Sequence, residues 1–456
     1  MNSDLESLSL VSGAGDVQGL NKPGVRVDGV AALQFESAGL LGAALDAPHA
    51  GFDSDLYALP LEGWAVGARS PVSSIEFVGH GGLYGRVSPT ASRPDVAAHL
   101  GLPQAERLGF KASISTVGLP ARYEVVVQAL LDDGSRHPFA SINGSNRLLP
   151  LSVSSGPTPL LVVTYGRTGS TWLMRLLGSH PDIVAYKPFE YEPRVLSYWV
   201  GVLLALGAPT SYLQPLAARL GSDRWWLGDN STIDALSPPE PKLARLLGHE
   251  GINQLALFAQ TRVRAFYQMI AALERQSPAT LFAEKVAPDQ RVLGTAQWLF
   301  PTTKCVYLVR DPRDIVLSIL AYGERSQTTS FGRERVQSDD DFVAEVDQAL
   351  RHITQLHGHG DGGDLMVRYE DLIRAPEVEL QRIFAVLGID ASHAAVLAAI
   401  EMASSELPGM AQHRTAADVT SSVGRWHREL SPERQHAWTA KLAGVLEILG
   451  YDLPAG

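Results

Sequence analysis

Residues that could do chemistry cluster first in the stretch Pro159-Leu-Leu-Val-Val-Thr-Tyr-Gly-Arg-Thr-Gly-Ser-Thr-Trp-Leu-Met-Arg-Leu-Leu177. Leu160 to Val163 form the continuous apolar run of a buried parallel strand, Gly166 and Gly169 permit a tight turn, and Ser170 to Leu177 return to helical spacing. The pattern predicts strand, anion-binding loop and helix. Backbone N–H groups of the loop and the helix start would face one small volume that the helix dipole makes favourable for negative charge. The guanidinium of Arg167 and the hydroxyls of Thr168, Ser170 and Thr171 converge on the same volume. A nucleoside triphosphatase loop would need four residues between its glycines and then Lys-Ser/Thr. Here two residues separate Gly166 from Gly169, and no lysine follows.

A second segment, Val306-Tyr-Leu-Val-Arg-Asp-Pro-Arg-Asp-Ile-Val-Leu-Ser-Ile-Leu320, ends a predicted strand on Arg310 and starts a helix at Pro312, with Ser318 further along it. A doubly charged phosphate is best met by such a pair, a forked charge-assisted donor and an oriented hydroxyl. Arg313 is expected to pair with Asp311 or Asp314 on the surface.

The first loop, with a basic residue inside it, then Gly, two hydroxyls and Trp172, resembles the 5'-phosphosulfate loop of sulfotransferases that use 3'-phosphoadenosine 5'-phosphosulfate (PAPS). Arg167 stands where the family's lysine is usual, as in a number of carbohydrate sulfotransferases. The resemblance implies that Arg310 and Ser318, eight residues apart as in the family, hold the 3'-phosphate. It further implies that Thr168 to Thr171 line the phosphosulfate end and that Trp172 stacks on adenine. Val367-Arg-Tyr-Glu-Asp-Leu372 resembles the strand whose tyrosine touches adenine, here Tyr369, with Glu370 and Asp371 expected as helix-start caps. Ser421-Ser-Val-Gly-Arg-Trp-His427 resembles the loop that folds over the nucleotide, where Gly424 allows close approach and Arg425 adds a contact to the 3'-phosphate. Trp426 either joins that loop's contacts or packs as core.

Glu284-Lys285-Val-Ala-Pro288 resembles the family's Glu-Lys-Thr-Pro or Lys-Thr-His segment, so Lys285 is expected to face the transferring group together with Arg167. Val286 and Ala287 replace Thr and His, which removes the histidine base of the phenol and steroid enzymes. In carbohydrate sulfotransferases a glutamate beyond the first helix often serves instead, and Ser179-His-Pro-Asp-Ile-Val-Ala-Tyr-Lys-Pro-Phe-Glu190 fits that arrangement. Glu190 is the first expectation for the base and Glu192 the second. His180 is expected to be structural. No metal is expected, since the histidines lack ligand spacing. The implied reaction is sulfuryl transfer from PAPS to a hydroxyl of a glycan, glycolipid or other hydroxylated metabolite. The alternative is a PAPS-fold protein that has lost catalysis and serves as a binding or assembly component.

The elements that must position these residues divide the 456-residue chain. Residues 1–24 are rich in Ser, Gly and Asp and are expected to be a disordered tail without a signal peptide. Residues 25–150 hold short β-branched and aromatic runs at 63–67, 74–78, 109–115 and 123–128, with a hairpin signal at Asp133-Gly134 and a helical turn near 93–99. They are expected to form a small antiparallel β-sandwich, an accessory or dimerising module that loosely resembles those appended to bacterial glycan-modifying enzymes. Residues 151–159 read as a linker. From residue 160 onward, helices alternate with apolar strands at 280–283, 304–309 and 364–368, which implies an α/β domain with a P-loop-like parallel sheet flanked by helices. Residues 193–276 are expected to be a helical acceptor-binding insertion.

Composition adds limits. A formal net charge of -11 argues against general nucleic-acid binding, so any anion site must be local. The longest apolar stretch, Val200 to Ala208, is well short of the roughly 20 residues that span a bilayer. A cytoplasmic protein, with homo-oligomer formation open, is the resulting expectation. The lone Cys305 lies in an apolar run and reads as core.

Overall fold

The structure is a computed structural model that describes residues 24–35, 38–54, 57–79, 82–103, 107–147, 156–188, 191–207, 250–274, 279–358, 363–404 and 420–452. The expected tail, most of the expected linker and the middle of the expected insertion lie outside the described residues.

The N-terminal region is built from strands β1 (Gly24–Ala32), β2 (Leu40–Ala47), β3 (Asp53–Ser54), β4 (Ala58–Gly67), β5 (Val72–Gly79), β6 (Gly82–Val87), β7 (Ala91–Ser92), β8 (Arg107–Ser115), β9 (Arg122–Leu131) and β10 (Arg136–Arg147), with one helix, α1 (Pro94–Leu100). They pair as two antiparallel sheets, one in the order β3-β1-β10-β9-β5-β6 and the other β2-β4-β8-β7. Along β9, Tyr123, Val125, Val127, Ala129 and Leu131 turn inward while the residues between them stay more open, the period of two that a half-buried strand requires. These side chains meet Phe77, Phe110, Phe139 and Ile114 in a shared core. Gly134 carries a φ of 84° in the β9–β10 hairpin, where its lack of a Cβ removes the usual penalty.

The C-terminal region opens on β11 (Thr158–Thr164), two residues before the expected start, and continues through α2 (Ser170–Leu177), β12 (Ile183–Ala185), α3 (Val195–Leu206), α4 (Gly251–Leu273), β13 (Leu281–Val286), α5 (Gln290–Leu299), β14 (Lys304–Val309) and α6 (Pro312–Ser326). It ends with α7 (Asp339–Gly358), β15 (Leu365–Arg368), α8 (Tyr369–Arg374), α9 (Pro376–Leu387), α10 (His393–Ser404), α11 (Trp426–Glu429) and α12 (Pro432–Ile448). The strands form one five-stranded sheet, β12-β13-β11-β14-β15, and every pairing within it is parallel. Helices cover both faces. Leu160 and Val162 face a core shared with α2, α9 and α10, whereas Leu161 and Val163 face a second core with α3 to α7 and α12. All four are fully buried, which explains why the run lacks polar alternation.

The two regions share packing. Tyr57 Oη donates to Asn253 Oδ1 of α4 at 2.6 Å, and its ring lies 5.4 Å from that of Trp298 in α5. Tyr57, Ala58 and Val117 belong to the same core as α3, α4 and α5. Cys305 is buried in that core as well.

Candidate active site

The chain leaves β11 toward β12 on one side and later reaches β14 on the other, so β11 sits where the strand order reverses. The carboxyl ends of strands at such a point form a crevice. Arg167 follows β11, Lys285 ends β13, Arg310 follows β14 and Tyr369 follows β15. Four segments remote in sequence therefore deliver their polar residues to one edge of the sheet.

The loop after β11 is tightly built. Arg167 adopts a φ of 65° and Gly169 one of 91°. A Cβ on Gly166 would stand 2.1 Å from the Phe331 ring, and one on Gly169 would stand 2.3 Å from the Tyr369 ring, so contact requires both glycines and conformation requires Gly169 as well. Thr168 is fully buried; its hydroxyl meets that of Thr164 and donates to the Tyr165 carbonyl at 3.1 Å. The expected convergence of three hydroxyls thus needs correction. Thr168 spends its hydroxyl holding the loop shut, because the loop's own carbonyl is the nearer acceptor. Ser170 and Thr171 stay partly open at the start of α2.

Three arginines gather beside this loop. Arg310 is 4% exposed; its Nη1 donates to the Arg167 carbonyl at 3.1 Å, its guanidinium lies 4.8 Å from the Tyr369 ring centroid, and its buried Nε has no hydrogen-bond partner among the described residues. Arg167 lies 4.9 Å from the Tyr322 ring, with its Nε 3.4 Å from Ser318 Oγ. Burial, followed by the charges of Arg310 and Arg425, holds the Arg167 pKa below the usual guanidinium range. Arg425 is buried and pairs with Glu429 at 2.8 Å. Like charges assembled in a poorly solvated space repel one another, and a polyanion relieves that repulsion.

Neighbouring residues fix the cluster. Asp314, fully buried in side chain, accepts from the backbone N–H of Gly424 at 2.7 Å and of Trp426 at 3.0 Å, and so ties the Gly-Arg-Trp loop to α6. Burial, opposed by Arg310, raises the Asp314 pKa. The expected surface role of Arg313 is also corrected. Arg313 is 1% exposed, grips Asp311 through two bonds of 2.9 and 2.7 Å, and stacks 3.7 Å from the Trp426 ring centroid. Trp426 is accordingly core. Glu370 and Asp371 do not cap α8, which has no side-chain cap; Glu370 instead accepts from the N–H of Asp311, the residue that caps α6, at 3.0 Å, and from Tyr451 Oη at 2.7 Å. Tyr369 Oη meets Ser422 Oγ at 2.9 Å. Trp172 is half-buried against the α2 core, with Arg175 5.7 Å from its ring. His180 is structural. Its Nδ1 accepts from the Asp182 N–H, which leaves Nε2 to donate to the Asp390 carbonyl at 2.9 Å.

Across the loop, Lys285 is 7% exposed and donates to Thr171 Oγ1 at 3.0 Å and Glu192 Oε1 at 3.1 Å. Burial pushes the Glu192 pKa up, but Lys285 and Arg194 outweigh it and hold the carboxyl below the ordinary glutamate value. Glu190, the first expectation for the base, lies outside the described residues.

The match to known proteins follows this geometry. Residues 159–393, more than half of the chain, match the profile of the sulfotransferase family. The chain belongs to that family. The nodulation protein NoeE of Sinorhizobium fredii is 25% identical over 323 residues, which cover 66% of this chain and 68% of NoeE. Among solved structures, the sulfotransferase domain from the curacin biosynthetic pathway is similar at 17% identity and a TM-score of 0.41, covering 66% of this chain and 100% of that one. The corresponding domain of the Synechococcus PCC 7002 olefin synthase gives 23% identity and a TM-score of 0.41, with 68% and 100% coverage. The chain is a transferase of this family, with an acceptor that bears a hydroxyl. No helix among the described residues is long and apolar enough to cross a membrane.

Sequence reasoning missed Asp314 and Glu284 as parts of the site's frame. Their partners lie 110 and 89 residues away in the chain, so no local spacing signals them.

Proposed function

We propose that this protein transfers a sulfuryl group from PAPS to a hydroxyl of a glycan, glycolipid or other hydroxylated metabolite. One observation carries the reading: Arg167, Arg310 and Arg425 converge beside Ser318, and the buried Nε of Arg310 lacks a partner among the described residues. A bisphosphorylated nucleotide fits that unmet donor and that excess of positive charge. When bound, PAPS supplies the activated sulfuryl group and a stable leaving bisphosphate.

The chain's own residues then have these roles. Backbone N–H groups from Thr168 to Thr171 and the side chain of Arg167 hold the 5'-phosphosulfate end, with the α2 dipole adding to the field. Arg310, Ser318 and Arg425 take the 3'-phosphate, Gly424 admits it, and Trp172 and Tyr369 bound the adenine. Lys285 meets charge that develops on the sulfuryl oxygens, a fixed-cation role of the kind that oxyanion donors fill. A glutamate accepts the acceptor's hydroxyl proton. The described geometry supports Glu192 for this, two residues from the first-named Glu190, because it is ionised before reaction as a base must be. When Lys285 turns from Glu192 toward the sulfuryl group, the carboxylate loses a cation, and its proton affinity rises as the transfer needs.

In this reading residues 25–150 form an accessory domain and 160–456 the transferase domain, working in the cytoplasm, where PAPS is made. The 193–276 segment binds the acceptor; exposed Tyr198 and Phe258 on its helices offer faces on which a sugar can stack. The test is calorimetric binding of 3',5'-adenosine bisphosphate beside 5'-AMP and Mg-ATP, then transfer of labelled sulfuryl from PAPS to 4-nitrophenyl glycosides. A large preference for the bisphosphate is expected. Equal binding of the three nucleotides overturns the reading.

A further inference from the structure

Glu284 is a carboxylate that the reaction does not use. It is fully buried, one residue before Lys285 on β13, and it reaches across to the start of α3. Its Oε1 accepts from the Val195 N–H at 2.6 Å, and its Oε2 accepts from the Leu196 N–H at 3.2 Å and from Tyr267 Oη at 2.5 Å. The Tyr267 ring is itself stacked on Phe282, with centroids 3.9 Å apart and planes 3° from parallel. Helix α3 starts after Arg194, which offers no side-chain cap. Its first two N–H groups are therefore met from a different strand, where an anion also suits the helix dipole.

The segment so anchored is the one that carries Glu192. Tyr191 and Arg194 flank that residue's short stretch with φ values of 61° and 50°, sparsely populated for residues with a side chain. Such backbone persists only where the surroundings over-determine it. Tyr191, 5% exposed and packed in the α2 core, holds one end. Glu284 holds the other. Glu192 is thus presented to Lys285 at 3.1 Å by a neighbouring residue of the same strand that bears the lysine.

We infer that Glu284 is a positioning residue. Its carboxylate clamps the start of α3 so that the strained 191–194 turn presents Glu192 to Lys285. The pairing holds the Lys285 ammonium and the Glu192 carboxylate together and keeps Glu192 aimed at the transfer site. The proposed sulfuryl-transfer reading sets what the pair is for, whereas the clamp stands on contacts within this chain.

The test reads the pair rather than turnover. The rate at which an N-hydroxysuccinimide acetate acylates Lys285, followed by peptide mass spectrometry, depends on the neutral fraction of the amine and so on its carboxylate partner. In the full-length protein, E192Q is expected to raise that rate about tenfold. E284Q keeps the side chain's shape but replaces one acceptor oxygen with a donor that faces backbone N–H groups, and it is expected to raise the rate several-fold. The double variant E192Q/E284Q is expected to react no faster than E192Q, because both changes act through one contact. Bisphosphate affinity in E284Q stays within about twofold of the parent. Unchanged Lys285 reactivity in E284Q, or additive rates in the double variant, overturns the inference. If E284Q fails to fold, Y267F, which leaves the carboxylate and both backbone contacts in place, must give a smaller non-additive increase; no increase there overturns it equally. A parent protein that binds no bisphosphate sinks the sulfuryl-transfer reading but leaves these rates to decide the clamp.

Discussion

Buried charge is handled in opposite ways in the two halves of this molecule. In the β-sandwich, Glu76 is 2% exposed and closed by Arg86, Arg136 and Gln128, the last two at 2.9 and 2.8 Å. The network leaves a carboxylate with donors on both oxygens and asks for nothing further. At the edge of the parallel sheet, Arg167, Arg310 and Arg425 meet with the same sign, and the buried Nε of Arg310 has no partner among the described residues. A satisfied network stabilises its own fold, whereas an unsatisfied one is stabilised by what binds to it. The same elementary cost of burying charge thus yields a structural pin in one region and the proposed ligand site in the other.

Four substitutions break or sharpen that contrast. The largest effect is expected from K285M, which removes the cation opposite Glu192. Turnover should fall by about 10²–10³, as for loss of one preorganised charge donor, with bisphosphate affinity within a few-fold; equal losses in both would move Lys285 into nucleotide binding. Next, R310A should weaken bisphosphate affinity by about 100-fold, in line with loss of a buried charge-assisted contact, and leave the free protein folded. Calorimetry that finds full affinity would show the assignment of the 3'-phosphate to be wrong. G169A, with a φ of 91° and the Tyr369 ring 2.3 Å from the added Cβ, should cost about tenfold in the same affinity by displacing the loop.

The smallest effect belongs to the sandwich. E76Q should lower the melting temperature by about 2–4 °C and leave nucleotide affinity untouched, since half-exposed Arg86 and Arg136 return to water cheaply. Burial works to raise the Glu76 pKa, but Arg136, Gln128 and Arg86 outweigh it, so the folded-state value lies below 4.5. A depressed carboxylate pKa means that the network's stability is present above about pH 4.5 and is lost as pH falls through the folded value. The acid-induced loss of stability should therefore shrink in E76Q; an unchanged pH dependence would remove Glu76 from the account.

Much of the fold was legible before the structure. The apolar run at 160–163, the turn glycines and the strand at 304–309 carry their own periodicity, and each corresponds to an observed element. In the N-terminal region β1, β2, β3, β6, β7 and β10 went unread: Leu40–Ala47 has no β-branched residue, and the valines of Gly24–Ala32 are interrupted by Gly and charged residues. The positions of Arg310, Ser318 and Gly424 in sequence pointed to a shared anion. What the spacing left out was the support beneath them. Thr168 reads as a ligand hydroxyl, yet is buried in its own loop. Arg313 reads as a surface charge, yet lies under Trp426.

The division has a physical cause. Local patterns decide which backbone N–H groups are free, where a helix dipole points and which side chains are apolar, because these depend on neighbours a few residues away. The sequence by itself therefore determined the α/β alternation, the shape of the loop after β11 and the chemical type of the residues beside it. Whether a polar side chain serves the ligand or the scaffold depends on which partner reaches it first, across distances of 89 residues for Glu284 and 110 for Asp314. Only the tertiary structure decided that, by bringing some buried charges to a partner and leaving Arg310 with a nitrogen unpaired among the described residues.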